Sequence, residues 1–194
     1  SSSSINSRYN RPIEKEIEKD SSSRFTSAND RETYKSEFDE EPIEDHPVDV
    51  KEFVEENNSN LATSFDLTTR EKIMMEIVRY LNTPYQYGGN DGQGIDCSAF
   101  TKNVFENAIE LSLPRTASEQ FEVGQNISNK YQLKFGDLLF FNTTKNSYPG
   151  HVGIFLGDNL FAHASFSKGV TISSLKSTYF DLRYIGAKRT LKIE

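Results

Sequence analysis

The chain lacks the features that mark membrane-spanning, nucleic-acid-binding and disulfide-stabilised proteins. It has one cysteine in 194 residues, so no disulfide can form within it. It has no run of about 18 apolar residues, the length needed to cross a bilayer. It also has no cluster of Lys and Arg that would neutralise phosphates. These absences predict no transmembrane segment and no nucleic-acid partner.

Glycine is absent from the first 87 residues, and all 11 glycines lie at or beyond Gly88. Residues 1–60 contain 8 Lys and Arg against 16 Asp and Glu, whereas the remainder contains 14 against 13. A charged stretch with few apolar residues cannot bury a core of its own. We therefore predict a disordered acidic tail and linker over residues 1–60. Residues 61–194 are enough for one domain with one core.

The spacing of apolar residues changes once along the second part of the chain. Helical spacing predicts a helix beginning near Leu67 and ending at Thr83, a second from Cys97 to Ile109 and a short one near 117–121. Apolar or alternating runs then predict strands at 138–141, 151–156, 160–165, 170–172 and 184–187. Helices followed by an antiparallel meander predict an α+β domain with its N-terminal helices packed on the sheet.

Cys97 follows a loop with four glycines and begins the second predicted helix. A thiolate is stabilised at such a position, because exposed N–H groups and the positive end of the helix dipole favour negative charge. His151 and His163, on consecutive predicted strands, are candidates for a general base and for the residue that orients it. The three residues together predict a cysteine hydrolase.

The hairpin that carries the two histidines gives this hypothesis a geometric test. With a three-residue loop at 157–159, His151 faces Ser165 and shares a face of the sheet with His163, its diagonal neighbour. A loop of two or four residues would place the histidines on opposite faces.

One alternative uses the same residues, since Cys97, His151 and His163 could instead ligate zinc with a water as fourth ligand. The third histidine, His46, lies in the predicted linker between Asp45 and Pro47, where we expect it to be solvated.

Several segments resemble the NlpC-type cell-wall cysteine peptidases, in order and with similar gaps over residues 70–190. They are YQYGG at 85–89, DCSAF at 96–100, LPRTA at 113–117, FGDLLFF at 135–141, HVGIFLG at 151–157 and FAHA at 161–164. The resemblance implies a papain-like α+β fold. One departure is Ala99, where the family usually has glycine.

The resemblance also implies roles for individual residues. Cys97 matches the nucleophile, His151 the general base and His163 the residue that orients it. Tyr85 matches a tyrosine that assists at the oxyanion or on the substrate, and a phenolic O–H is a usable donor for a developing oxyanion.

Three residues near the nucleophile match positions that contact substrate in this family or suit such contact. Asp96 and Ser98 correspond to residues that line the substrate cleft, and Arg115 is a candidate to meet a substrate carboxylate. Asp96 is equally suited to cap the helix. Arg115 is equally suited to a structural role.

The function implied by the resemblance is hydrolysis of peptidoglycan stem peptides, typically between γ-D-glutamate and the following diamino acid. We expect a monomer that needs no metal or other cofactor. We expect it in the cell envelope, periplasmic or secreted, with a lipid tether upstream of Ser1 as one option. A non-catalytic wall-binding scaffold and a thiol acyltransferase with an apolar channel stay open as alternatives, as does an intracellular peptide-recycling enzyme.

Overall fold

The computed structural model describes residues 41–58 and 67–191. The helices are α1 Val50–Asn58, α2 Thr69–Tyr80, α3 Cys97–Ile109, α4 Ala117–Phe121 and α5 Thr178–Arg183. The strands are β1 Asn90–Asp91, β2 Gly94–Ile95, β3 Gln125–Ile127, β4 Leu138–Phe141, β5 His151–Gly157, β6 Leu160–Ser165, β7 Gly169–Ser174 and β8 Tyr184–Arg189. Over the described ranges, no helix combines the length and the apolar character that crossing a membrane requires.

The helix boundaries follow from local capping chemistry. Thr68 caps α2 in a capping box, in which its hydroxyl accepts from the Glu71 N–H and the Glu71 carboxylate accepts from the Thr68 N–H. Asp96 caps α3 by accepting from the Ala99 N–H, and α3 ends at Glu110 in the left-handed region. The predicted helices at 97–109 and 117–121 therefore have the observed bounds.

The main sheet has six antiparallel strands in the order β3-β8-β4-β5-β6-β7. Its centre is β4, and all four of its side chains are buried, because both faces of the sheet are covered. Helices α2 and α3 pack on one face. Helix α5 contributes Tyr179 and Phe180 to the cluster on the other face. The predicted α+β class with helices on an antiparallel sheet is confirmed.

The β5–β6 hairpin differs from the three-residue loop that the sequence predicts. Its turn has two central residues, Asp158 and Asn159, both with positive φ, and Gly157 pairs with Leu160. A bulge before Gly157 shifts the register, so that Phe155 pairs with Phe161 and Ile154 with Ala162. A two-residue turn alone would place the two histidines on opposite faces of the sheet, and the extra residue of the bulge returns them to one face. His151 and His163 therefore share a face, as predicted, for a different reason.

The segment 41–58, predicted as linker, contacts the domain. It contains helix α1, and Val48, Val50 and Phe53 pack on the helix-side core. Glu41 and Glu44 accept hydrogen bonds from the β6–β7 hairpin. The linker interpretation therefore does not describe residues 41–58, whereas residues 1–40 of the predicted tail lie outside the described residues. His46 is exposed, as expected.

Candidate active site

Cys97 lies where the N-terminus of α3 meets the beginning of β5. It is the first residue of the helix and only 6% exposed. The backbone N–H groups of Val152 and Ser98 interact with its sulfur. Because Val152 follows His151 on β5, this contact places the thiol against the strand that begins with the first predicted histidine.

The two histidines are hydrogen-bonded to each other. Nε2 of His151 lies 2.9 Å from Nδ1 of His163. Nε2 of His163 in turn lies 2.9 Å from Oγ of Ser173 on β7. This bond uses Nε2 of His151, so a further hydrogen-bond partner of that ring has to meet Nδ1.

Burial shifts the pKa values of Cys97, His151 and His163. Desolvation raises the pKa of the Cys97 thiol to about 12, and the nearby Asp96 carboxylate adds to the rise. Desolvation also lowers the pKa of His151, and it lowers that of His163 well below the ordinary value. Burial therefore favours the uncharged thiol and the uncharged imidazoles, against the thiolate that a position at a helix start would favour by itself.

Asp96, Ser98 and Arg115 form one hydrogen-bonded cluster beside the thiol. Arg115 binds Asp96 in a bidentate manner, with Nη1 3.0 Å from Oδ1 and Nη2 2.7 Å from Oδ2. Arg115 Nη1 and the Asp96 carboxylate also contact the Ser98 hydroxyl. Asp96 thus caps α3 and anchors Arg115 at the same time, and all three side chains line the cleft that contains Cys97.

Gln120 supports this cluster and was not identified from the sequence. Its side chain is fully buried on α4 and donates to the carbonyl oxygens of Ser98, at 3.0 Å, and Pro114, at 2.8 Å. It also accepts from the Thr101 hydroxyl. These bonds fix the loop that carries Arg115 against the start of α3. Nothing local in the sequence distinguishes Gln120 from a solvated glutamine.

Tyr85 lies in the segment bridged to Ile95 and packs against the helix-side core that also contains Cys97. Its ring packs edge-on against Phe166, with centroids 5.4 Å apart. Burial together with the nearby Cys97 and Asp96 raises its pKa well above the ordinary value. The phenol therefore keeps its hydrogen and can donate.

The thiol opens onto a cleft of about 450 Å³. Its lining residues are Tyr85, Tyr87, Gly88, Asp96, Cys97, Ser98, Arg115, Thr116, Ala117, Ser118, Thr144, Asn146, Ser147, Pro149 and Gly150. Both histidines are buried and lie outside this lining, whereas Cys97 belongs to it. Hydroxyl, amide and charged groups are among the lining groups.

The zinc alternative finds little support in the geometry. Within residues 41–58 and 67–191, no three or more His, Cys, Asp or Glu side chains are grouped so that they could hold a metal ion. The facing nitrogens of His151 and His163 bind each other instead.

Residues 82–189 match the model of the NlpC/P60 family. The murein DD-endopeptidase MepS/murein LD-carboxypeptidase of Escherichia coli K12 is 40% identical over 132 residues, which are 68% of each chain. The gamma-DL-glutamyl hydrolase of Bacillus subtilis is 35% identical over 118 residues, 60% of this chain and 28% of that protein.

Among solved structures, a lipoprotein-like NLP/P60-family protein of Staphylococcus aureus has a TM-score of 0.60 and is 36% identical. The match covers 68% of this chain but only 44% of the staphylococcal one. What these whole proteins do therefore does not transfer directly to this chain.

Proposed function

Because this chain belongs to the NlpC/P60 family, we propose that it is a cysteine endopeptidase that hydrolyses the peptide stems of peptidoglycan in the cell envelope. The observation that carries the proposal is the placement of three residues. The Cys97 thiol lies at a helix start and meets the backbone N–H of Val152, the residue after His151 on β5. His163 is hydrogen-bonded to the His151 ring. These are the nucleophile, base and orienting group of a thiol hydrolase. Both curated relatives carry names of hydrolases, one of murein.

The first step is proton transfer coupled to attack. Nδ1 of His151 takes the thiol hydrogen of Cys97 while the sulfur forms a bond to the amide carbonyl carbon. The imidazolium that forms is held by His163 through the 2.9 Å hydrogen bond. It then gives its proton to the leaving amine as the C–N bond breaks. Water hydrolyses the resulting thioester and regenerates the thiol.

Two donors are suited to the tetrahedral oxyanion. The Cys97 N–H belongs to the first turn of α3 and has no acceptor within the helix. The Tyr85 hydroxyl is held protonated beside the thiol by its raised pKa. Each donor of this kind contributes about two to three orders of magnitude to the rate in related chemistry.

We assign substrate contacts to Ser98 and Arg115, with Asp96 holding both. Arg115 is 37% exposed and lines the cleft, so its guanidinium can meet a substrate carboxylate while Asp96 keeps its orientation. An arginine restrained by a bidentate carboxylate loses less conformational freedom on binding.

The scissile bond has two candidates. The sequence resemblance implies the amide between γ-D-glutamate and the diamino acid, and the name of the Bacillus relative agrees with it. The Escherichia relative, named as a DD-endopeptidase and LD-carboxypeptidase, has higher identity and greater coverage. The name of this more similar relative favours a bond in the D-alanine cross-link.

Mass spectrometry of peptidoglycan digests tests the reaction and the bond together. Purified peptidoglycan and soluble muropeptides are incubated with the wild type, with Cys97→Ala, and with Lys102→Ala as a control on the exposed side of the same helix. We expect new fragments from the wild type and Lys102→Ala and none from Cys97→Ala. Fragments ending in γ-D-glutamate identify cleavage between γ-D-glutamate and the diamino acid. Loss of cross-linked dimers, with new D-alanine ends, identifies cleavage of the cross-link.

The same digests separate the alternatives. If wild type and Cys97→Ala both bind peptidoglycan and neither cleaves it, the protein is a wall-binding scaffold. If an acyl donor is transferred to an added amine faster than it is hydrolysed, the protein is an acyltransferase. Loss of activity in a chelator with recovery in zinc would overturn the thiol mechanism. A lipid tether upstream of Ser1 stays a prediction, and membrane extraction of the native protein tests it.

A further inference from the structure

A hydrogen-bonded series extends beyond the three predicted residues to the acidic segment before α1. His163 contacts Ser173 through Nε2, and the Ser173 hydroxyl donates to a carboxylate oxygen of Glu44. His163 and Ser173 are both fully buried, and the Glu44 side chain is only 10% exposed. Glu44 and Ser173 lie 129 residues apart in the chain, so no local pattern links them.

The direction of the hydrogens in this series follows from Glu44. Its carboxylate pairs with the Lys168 ammonium at 3.4 Å, and an ionised carboxylate can only accept. The Ser173 hydroxyl hydrogen therefore points to Glu44, and its oxygen accepts from Nε2–H of His163. Nδ1 of His163 then has no hydrogen and accepts from Nε2–H of His151.

This order leaves a lone pair on Nδ1 of His151. That nitrogen is the one available to Cys97, and it must be unprotonated to accept the thiol hydrogen. The opposite order would put a hydrogen on Nδ1 of His151 and prevent it from acting as a base. In neutral histidine the two tautomers lie close in energy, so a fixed neighbour decides between them.

Aromatic rings pack against both histidines. His163 packs against Phe161 and Phe180, with ring centroids 4.8 and 5.2 Å away, and His151 packs against Phe141. Apolar rings neither donate nor accept strongly, so the series through Ser173 is the polar route out of this cluster among the described residues.

We propose that Ser173 and Glu44 are positioning residues, which fix the tautomer of His151 through His163 and so prepare it to deprotonate Cys97. The activity readout of this proposal rests on the proposed hydrolase function, but the tautomer readout does not. Segment 41–58 thereby supplies a side chain on which the site depends.

Nitrogen-15 NMR of the imidazole rings tests the tautomer directly in the full chain. In the wild type we expect a protonated Nε2 and a bare Nδ1 on both histidines. In Glu44→Gln, the amide can donate to Ser173, so we expect mixed or reversed tautomers. A hydrogen on Nδ1 of His151 in the wild type, or unchanged spectra in Glu44→Gln, would overturn the proposal whether or not the protein cleaves peptidoglycan.

Kinetics on a muropeptide give the second readout. We expect Ser173→Ala and Glu44→Gln to lower kcat by about 10- to 100-fold with KM little changed, the size of loss found when the hydrogen-bond partners that orient metal-binding histidines are removed. Ser173→Thr keeps the hydroxyl and should recover most of the loss. Equal kcat for Ser173→Ala, Ser173→Thr and wild type would contradict the positioning role.

Asp45→Asn is the control that tests whether weaker attachment of segment 41–58 is enough to change the histidine tautomers. Asp45 lies beside Glu44 and accepts from the Thr178 N–H at 3.0 Å, at the start of α5, without touching the histidines. It should weaken attachment of segment 41–58 while leaving the imidazole spectra unchanged. If Asp45→Asn changes the tautomers as much as Glu44→Gln does, docking alone explains the effect and the proposal fails.

Discussion

A Cβ atom on Gly153 would lie 3.2 Å from the Cβ of His163 on the neighbouring strand. It would also lie 2.8 Å from the Phe161 ring and 2.9 Å from the carbonyl oxygen of Ala162. Gly153 thus provides the space in which the His163 ring meets His151. A side chain at position 153 would occupy this space.

Gly153→Ala should therefore move His163 and reduce activity. We expect a cost of about 1–3 kcal/mol in unfolding free energy from overpacking and a fall in kcat of at least about tenfold from the displaced hydrogen bond. Urea denaturation and steady-state kinetics measure the two effects. Gly92→Ala is the control, since a Cβ there meets open space. Wild-type kcat in Gly153→Ala would mean that the His163 position is not critical.

Stability should fall as the pH drops below about 6.5, because His151 and His163 are buried and neutral. Burial lowers the pKa of both in the folded state, so below about pH 6.5 the unfolded chain binds protons that the folded chain does not. Each histidine then contributes a slope of up to about 1.4 kcal/mol per pH unit.

Urea unfolding between pH 7.5 and 5 measures this slope. The range lies above the lowered pKa values of the carboxylates Asp45, Glu71 and Glu119, whose effect on stability appears below about pH 4.5. His46→Gln, which removes an exposed histidine, should keep the slope. A constant unfolding free energy over this range would exclude two buried neutral imidazoles.

Removing the charge of Asp96 should make Cys97 more reactive. The Asp96 carboxylate raises the pKa of the thiol, so Asp96→Asn should lower that pKa while its amide oxygen still caps α3. We expect iodoacetamide to alkylate Cys97 about three to ten times faster at pH 8. Asp91→Asn makes the same charge change in the β1–β2 turn, where the carboxylate binds only backbone. Equal rates in both variants would show that Asp96 does not act on the sulfur.

The buried ion pair of Asp137 and Arg189 should contribute more to the free energy of unfolding than a surface ion pair does. Arg189 donates to both oxygens of Asp137, at 2.8 and 2.7 Å, and Asp137 is 1% exposed. Arg189→Ala leaves a buried carboxylate unpaired, so we expect a loss of about 3–5 kcal/mol.

Lys130→Ala is the matched control, because Lys130 pairs with Asp181 at the surface and should cost under about 1 kcal/mol. Chemical denaturation of both variants gives the comparison. Restoring neutrality with Asp137→Asn in the Arg189→Ala background should recover part of the loss. Similar small losses in both single variants would mean that Asp137 is hydrated.

Local patterns were sufficient to predict the helix that begins with Cys97, the central strand β4 and the start of α2. The Asp96 cap and the apolar stripe of α3 define that helix in the sequence itself, and the buried run at 138–141 defines β4. Thr68 and Glu71 likewise mark the start of α2.

Contacts between distant residues were not predictable in this way. Gln120 and Ser173 are ordinary polar residues in the sequence, and their roles depend on which groups the fold brings to them. Glu44 lies in a stretch whose composition is typical of a solvated tail, yet it contacts residues more than 120 positions away. Composition describes the average of such a stretch and misses single tertiary hydrogen bonds.

The bulge before Gly157 has a consequence for how this hairpin can change in evolution. Most surface hairpins tolerate the gain or loss of one residue at the tip, because the strands behind it keep their pairing. In this hairpin, removal of Leu156 would bring Phe155 next to Gly157 in the chain, and the pairs Gly157–Leu160 and Phe155–Phe161 would stay as they are. The bulge would disappear and His151 would stay on the face of His163. Addition of one residue between His151 and Phe155 without a further bulge would instead turn His151 to the opposite face of the sheet. The bulge therefore marks the position at which this hairpin can lose a residue and still keep the two histidines together.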